Sequence, residues 1–196
     1  MSKRVAEIKR QTSETDIELK INLDGQGQSD VSTGLPFLDH MLTLFSKHGG
    51  FDLTLRVKGD IEVDGHHTTE DVGICLGQAV KEAVGDADGI CRYASALIPM
   101  DESLCQLALD ICNRSHLTFN ATFPKAKVGE FDSELVEEFF NAFVNNARVT
   151  LHLDIIRGQN LHHMIESTFK AFGVVLSDAL SRHPRRSGVP STKGIL

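Results

Sequence analysis

The chain has 196 residues, 20 Lys and Arg against 27 Asp and Glu, a formal net charge of −7, and 41% hydrophobic residues. That apolar content builds a core and excludes disorder as the dominant state, while the acid excess argues against nucleic acid as the main partner. No apolar run approaches the ~20 residues of a membrane span, MSKRVAEIKR lacks the apolar stretch of an export signal, and four Cys without a Cys-x-x-Cys pair fit a reduced, cytoplasmic setting.

In chain order, Ile17–Leu23 alternates as a strand and Asp24-Gly25 turns it. Phe37-Leu38 through Leu44-Phe45 has helical spacing and stops at Gly49-Gly50. Strands are predicted at Asp52–Val57 and Ile61–Val63 around a Lys58-Gly59-Asp60 turn, followed by a helix from His66 to Val84. Leu117–Phe123, Leu135–Val144, Val149–Ile156 and a helix from about His162 to Leu180 repeat this layout, and Pro184 ends it.

An internal repeat underlies the resemblance of the two stretches. His66-His67-Thr68-Thr69-Glu70 returns as His162-His163-Met164-Ile165-Glu166, and the same offset lays Leu53–Val57 over Val149–Leu153. With a two-residue gap, Phe37–Leu42 lies over Leu135–Phe140. The chain reads as two pseudo-symmetric halves, 1–91 and 92–183, packed as one unit, with a tail at 184–196. The fold class is α+β, each half a sheet covered by helices.

His-His-x-x-Glu on a helix places the carboxylate on a face shared with either imidazole. The two adjacent imidazoles diverge by about 100° and serve different ions or sites better than one. The pairing of imidazole with carboxylate, without thiolate, suits Mn, Fe, Co or Zn. His40 and Glu138 align across the repeat, each shortly before a His pair, and are the natural further ligands. His152 points from a strand without a metal role, and His116 and His183 receive no assignment. Gly25-x-Gly27 opens no helix and makes no dinucleotide site. The tail Pro190-Ser191-Thr192-Lys193-Gly194 reads either as a loose basic terminus or as hydroxyls and an ammonium that hold phosphate.

Four blocks carry a resemblance: Phe37–Met41, Asp64–Asp71, Asn160–Ala171 and Pro190–Gly194. In order and spacing they resemble the imidazoleglycerol-phosphate dehydratases, in the form without a fused phosphatase domain. The resemblance implies a fold similar to ribosomal protein S5 domain 2, and conversion of imidazole glycerol phosphate to imidazole acetol phosphate plus water in histidine biosynthesis. It implies two Mn(II) ions per active site, held by His40, His66, His67, Glu70, Glu138, His162, His163 and Glu166, the set the repeat selects. Many relatives carry His where this chain has Glu138. The ions stabilise the substrate as an imidazolate and act as Lewis acids, without generating a metal hydroxide.

Substrate contacts implied by the resemblance fall on Glu14, His40, His48, His66, His67, Glu70, Arg92, Arg114, His162, Lys170, Ser191, Thr192 and Lys193. Glu14 takes the place of the acid/base, and the tail becomes a phosphate-binding segment. The resemblance further implies a homo-oligomer, a 24-mer of cubic symmetry with sites shared between subunits, and no membrane or nucleic-acid partner. Two rivals use the same residues. A two-metal phosphatase would release inorganic phosphate, and a non-catalytic metal-binding protein would need neither Glu14 nor the tail.

Overall fold

The computed structural model describes residues 4–185 and 187–196; Met1–Lys3 of the first half and Arg186 of the tail lie outside the described residues. The first half runs β1 (Val5–Gln11), β2 (Thr15–Asn22), β3 (Ser29–Ser32), α1 (Pro36–Gly49), β4 (Asp52–Gly59) and α2 (His66–Val84). The second runs β5 (Tyr93–Met100), β6 (Ser103–Asp110), β7 (His116–Asn120), a hairpin of β8 (Lys127–Val128) and β9 (Phe131–Asp132), α3 (Leu135–Ala147), β10 (Thr150–Arg157) and α4 (Leu161–Leu180). The hairpin apart, the two lists are the same.

The sheets repeat too. Their orders are β1-β2-β4-β3 and β5-β6-β10-β7, and in each the last strand joins its neighbour parallel while the other pairs are antiparallel. Alternation sets the faces: Ile17, Leu19 and Ile21 of β2 are buried while Asp16, Glu18 and Lys20 point to solvent. α2 lies on β1 and β2, α4 on β5 and β6, and each packs against a helix of the other half, α2 on α3 and α1 on α4. The four helices therefore lie between the two sheets.

Phenylalanine fills the space between them. Phe172 of α4 stacks on Phe45 of α1 at 4.8 Å between centroids, and meets Phe143 of α3 edge-on at 4.8 Å. Burying such a ring contributes roughly 1.5–3 kcal/mol. Glycine sets how closely the helices approach. A Cβ on Gly173 would lie 2.5 Å from the Phe45 carbonyl oxygen, and one on Gly77 would lie 2.6 Å from that of Phe143. Gly77 and Gly173 are 96 residues apart, Phe45 and Phe143 are 98, so the two helix crossings are copies of each other.

One predicted strand is absent: Ile61–Val63 forms a turn, closed by the Val63 amide donating to the Asp60 carbonyl at 2.8 Å. Its apolar residues are exposed, Val63 at 67%, and no strand lies beside them to complete a ladder. The strand predicted to Phe123 ends at Asn120.

Candidate active site

All four helices begin at the same end of the molecule. The Phe37 ring near the start of α1 lies 5.1 Å from the His162 ring near the start of α4. A Cβ on Gly65, just before α2, would lie 3.1 Å from Leu135 of α3 and 3.2 Å from Leu35 just before α1. The eight expected metal ligands sit in the first two turns of these helices, at one pole.

One crossing brings three of the expected ligands together, and the other brings two. At the α1–α4 crossing, ligand atoms of His40, His162 and Glu166 lie within 4.8 Å of one another. His162 Nε2 is 3.1 Å and His40 Nε2 3.6 Å from Glu166 Oε2. Glu166 is 7% exposed. Burial pushes its carboxyl up, but Lys170, 2.5 Å from Oε1, and His162 outweigh this and hold it below the usual carboxylate range. At the α2–α3 crossing, His66 Nε2 is 3.9 Å from Glu70 Oε2. Glu138 precedes Phe143 by five residues, as His40 precedes Phe45, but among the described residues only His40, His162 and Glu166 come together closely enough to hold one ion.

The second imidazole of each pair turns away, as the helical angle requires. The His66 and His67 rings are 6.2 Å apart at 90°, those of His162 and His163 6.2 Å apart at 77°. Each outward ring is fixed by a carboxylate that sequence reading did not single out. Asp60, just beyond β4, lies 3.0 Å from His67 Nδ1, and Glu102, in the turn before β6, lies 2.8 Å from His163 Nδ1. A carboxylate at Nδ1 keeps the proton there and leaves Nε2 to present its lone pair outward. The hydrogen bonds raise both imidazole pKa values, Asp60 acting on His67 and Glu102 on His163. In return His163, with the amides of Asn160 and Gln159, holds the Glu102 carboxyl well below the usual range. Glu14, in the β1–β2 turn, places Oε1 3.8 Å from His67 Nε2.

Glycine again permits the approach. A Cβ on Gly59 would collide with the Thr68 hydroxyl, and one on Gly158 with the Met164 side chain, so α2 and α4 press their first turns on the ends of β4 and β10. The donors suit a hard or borderline divalent ion, being imidazole and carboxylate alone. Burial pushes the Cys75 thiol up to about 11 and that of Cys105 up to about 12, which makes neither a thiolate.

A second cluster lies at the other pole. Arg92, Arg114, Ser191, Thr192 and Lys193 line a cleft of about 1070 Å³. The Arg92 guanidinium donates to Asp110 Oδ1 at 2.7 Å and to the Pro190 carbonyl at 2.8 Å, which fastens the tail. Asn113 Nδ2, 3.3 Å from the Leu196 oxygen, fastens its end. The tail is thus anchored, and its hydroxyls and the Lys193 ammonium face a cleft with the exposed Arg114. The Arg92 amide donates to Ala179 at the far end of α4, 17 residues beyond His162 and so about 25 Å along the helix. Lys170 and His48 lie between the poles; burial and then the Lys170 charge lower the His48 pKa. Within one chain the structure does not bring the cleft to the imidazoles. His116 and His152 face each other on β7 and β10, ring centroids 5.6 Å apart.

Residues 33–176 match the family model described as imidazoleglycerol-phosphate dehydratase. Among curated proteins, the imidazoleglycerol-phosphate dehydratase of Bacillus velezensis is 58% identical over 98% of this chain and 100% of its own length. That of Bacillus licheniformis is 55% identical over the same shares. Among solved structures, the dehydratase of Staphylococcus aureus superposes with a TM-score of 0.83 at 46% identity, covering 91% of this chain and 99% of its own. That of Pyrococcus furiosus gives 0.83 at 33% identity over 96% and 100%. With its two copied halves and its paired imidazoles, the chain belongs to the imidazoleglycerol-phosphate dehydratase family.

Proposed function

We propose that this chain dehydrates imidazole glycerol phosphate to imidazole acetol phosphate, and that its helix-start pole holds two Mn(II) ions. The reading is carried by the ligand group of His40, His162 and Glu166, by the His66–Glu70 pair at the copied crossing, and by an outward imidazole beside each. His40, His162 and Glu166 would hold one ion, and His66, Glu70 and Glu138 the other. His67 and His163 would offer Nε2 to ions held by neighbouring copies. The ions supply Lewis acidity toward the substrate's imidazole ring.

The chain's own residues do the rest. Glu14, half exposed and 3.8 Å from His67 Nε2, takes the proton from substrate carbon. The adjacent hydroxyl leaves as water, and the resulting enol becomes the ketone. Arg114, Lys193, Ser191 and Thr192 hold the phosphate by charge-assisted contacts. Arg92 is paired with Asp110, so its part is to fix the tail as much as to meet the anion.

A five-membered ring on a three-carbon phosphate is far shorter than the ~25 Å of α4 that separate His162 from the cleft. A working site therefore takes its cleft and its imidazoles from different copies, which is the reason we propose a homo-oligomer, a 24-mer of closed symmetry. No helix of the described residues is long and apolar enough to cross a membrane.

The test is to incubate the Mn-loaded protein with imidazole glycerol phosphate and follow the product. A phosphorylated ketone without release of inorganic phosphate is expected. Release of inorganic phosphate, or no turnover with metal bound, would overturn the reading.

A further inference from the structure

We infer that Asp71 is a positioning residue for Glu14, through a clamp that ties the β1–β2 turn to the helix bearing the His pair. The inference rests on the reading of Glu14 as the acid/base. Asp71 follows Glu70 on α2 and is 5% exposed. Both of its oxygens are spent on the hairpin. Oδ1 accepts from Arg10 Nη2 at 2.8 Å and from Nε at 3.1 Å, on β1. Oδ2 accepts from the Thr15 hydroxyl, at the start of β2.

From Thr15 the contacts run on to Glu14. Thr15 Oγ1 lies 3.4 Å from Thr12 Oγ1, which accepts from the amides of Thr15 at 3.0 Å and Glu14 at 3.1 Å. On its other side the Glu14 carbonyl accepts from the Asp60 amide at 3.1 Å, and Asp60 holds His67. Both backbone groups of Glu14 are thereby fixed relative to α2. A carboxylate on a turn is mobile, and a proton-transfer group works only from a set position.

The second half shows that the fold does not itself need this clamp. The sheet registers place Arg10 opposite Ile17 and Thr15 opposite Gly59, and the equivalent partners in the second sheet are Ala96, opposite Leu107, and Cys105, opposite Ile155. The repeat places Ser167 at Asp71, and its hydroxyl turns back to the Met164 carbonyl of its own helix. The residue before Cys105 is Leu104, where the first half has Glu14. All three members of the clamp are replaced in the second half, where the carboxylates of the β5–β6 turn, Asp101 and Glu102, meet His163 without it.

Asp71→Asn and Thr15→Val, each alone and combined with Glu14→Gln, test this in the metal-loaded enzyme. Each single change is expected to lower kcat at least tenfold, with KM and bound metal near wild type, and Thr15→Ser to restore most of the rate. In the Glu14→Gln background each is expected to cost less than twofold. Equal losses in both backgrounds would show that Asp71 does not act through Glu14, as would a loss that tracks metal content. An unaltered kcat in Glu14→Gln alone would remove the acid/base reading, and this inference with it. Should Asp71→Asn fail to fold, the near-isosteric Thr15→Val and its Ser counterpart decide the question.

Discussion

Gly173→Ala tests whether the helix crossing sets the geometry of the proposed metal site. The added Cβ would start 2.5 Å from the Phe45 carbonyl oxygen and 3.0 Å from the Gly49 nitrogen, both backbone atoms that cannot rotate away. Ordinary contact begins at 3.4 Å, so α1 and α4 must separate by about 0.9 Å (3.4 − 2.5) at this point. Overpacking of this kind costs typically 1–3 kcal/mol, and the better helix propensity of Ala returns up to about 1. The metal-free protein should therefore lose up to about 2 kcal/mol, a drop of several degrees in Tm for a chain of this size. The effect on the ion should be larger than this suggests, because metal–ligand distances tolerate only about ±0.2 Å. His40 on α1 would move from His162 and Glu166 on α4, and affinity at that site should fall at least tenfold. Calorimetric titration of metal into the variant should show one weakened class of site and one unaltered. Gly77→Ala should weaken the other class, since its Cβ meets Phe143 in the same way. Two unaltered classes of site in a folded Gly173→Ala protein would refute the reasoning.

Three further outcomes are expected. Glu102→Gln should bring the raised His163 pKa back toward its ordinary 6.5, read by NMR in the metal-free protein. In that state the pair contributes to stability above the unfolded carboxylate value of 4.5, where Glu102 is charged, and loses its contribution as pH rises through the raised His163 pKa. Metal binding runs the other way, since His163 must be neutral to ligate, and it should strengthen as pH rises through that same value. Lys193→Ala and Arg114→Ala should each weaken substrate binding by roughly 1.5–3 kcal/mol, about 10- to 150-fold, while binding of an analogue without phosphate stays unaltered. Sedimentation of one preparation with Mn, after chelation and after its return should show large, smaller and large particles, and equal masses throughout would confine the ions to single chains.

The candidate ligands were legible because a repeat writes them twice. A lone His-His-x-x-Glu on a helix is an ordinary solvated face, and only the second copy, with His40 and Glu138 in matching places, lifts it above that. The divergence of each pair was legible as well, since it follows from helix geometry alone. What fixes the outward rings was not. Asp60 and Glu102 reach His67 and His163 from a strand end and a hairpin turn, 7 and 61 residues away in sequence, and nothing local marks them. Asp71 lies within the Asp64–Asp71 stretch, yet its burial depends on a hairpin 56 residues earlier. The expected strand at Ile61–Val63 shows the opposite fault: alternation was present, but no neighbouring strand was there to receive it. β5 carries no clear alternation, because Tyr93 and Leu97 are large apolar residues on its exposed face, so solvent and core sides look alike.

The places where the halves agree and where they differ divide the proposed labour. They agree on the parts that would hold two similar ions: His66 with His162, Glu70 with Glu166, Gly77 with Gly173. They differ where a substrate with one phosphate and one labile carbon proton would need single groups. Glu14 faces Leu104 across the repeat, Lys170 faces Ile74, and the Arg10–Thr15–Asp71 clamp faces Ala96, Cys105 and Ser167. A chain built only to store metal would have no reason to break its symmetry at these positions, since both of its sites would do the same thing. An enzyme acting on an asymmetric molecule gains from breaking it, because one phosphate and one labile proton each call for a single set of groups, even though the second half also brings a carboxylate, Asp101, to 3.8 Å from its outward imidazole.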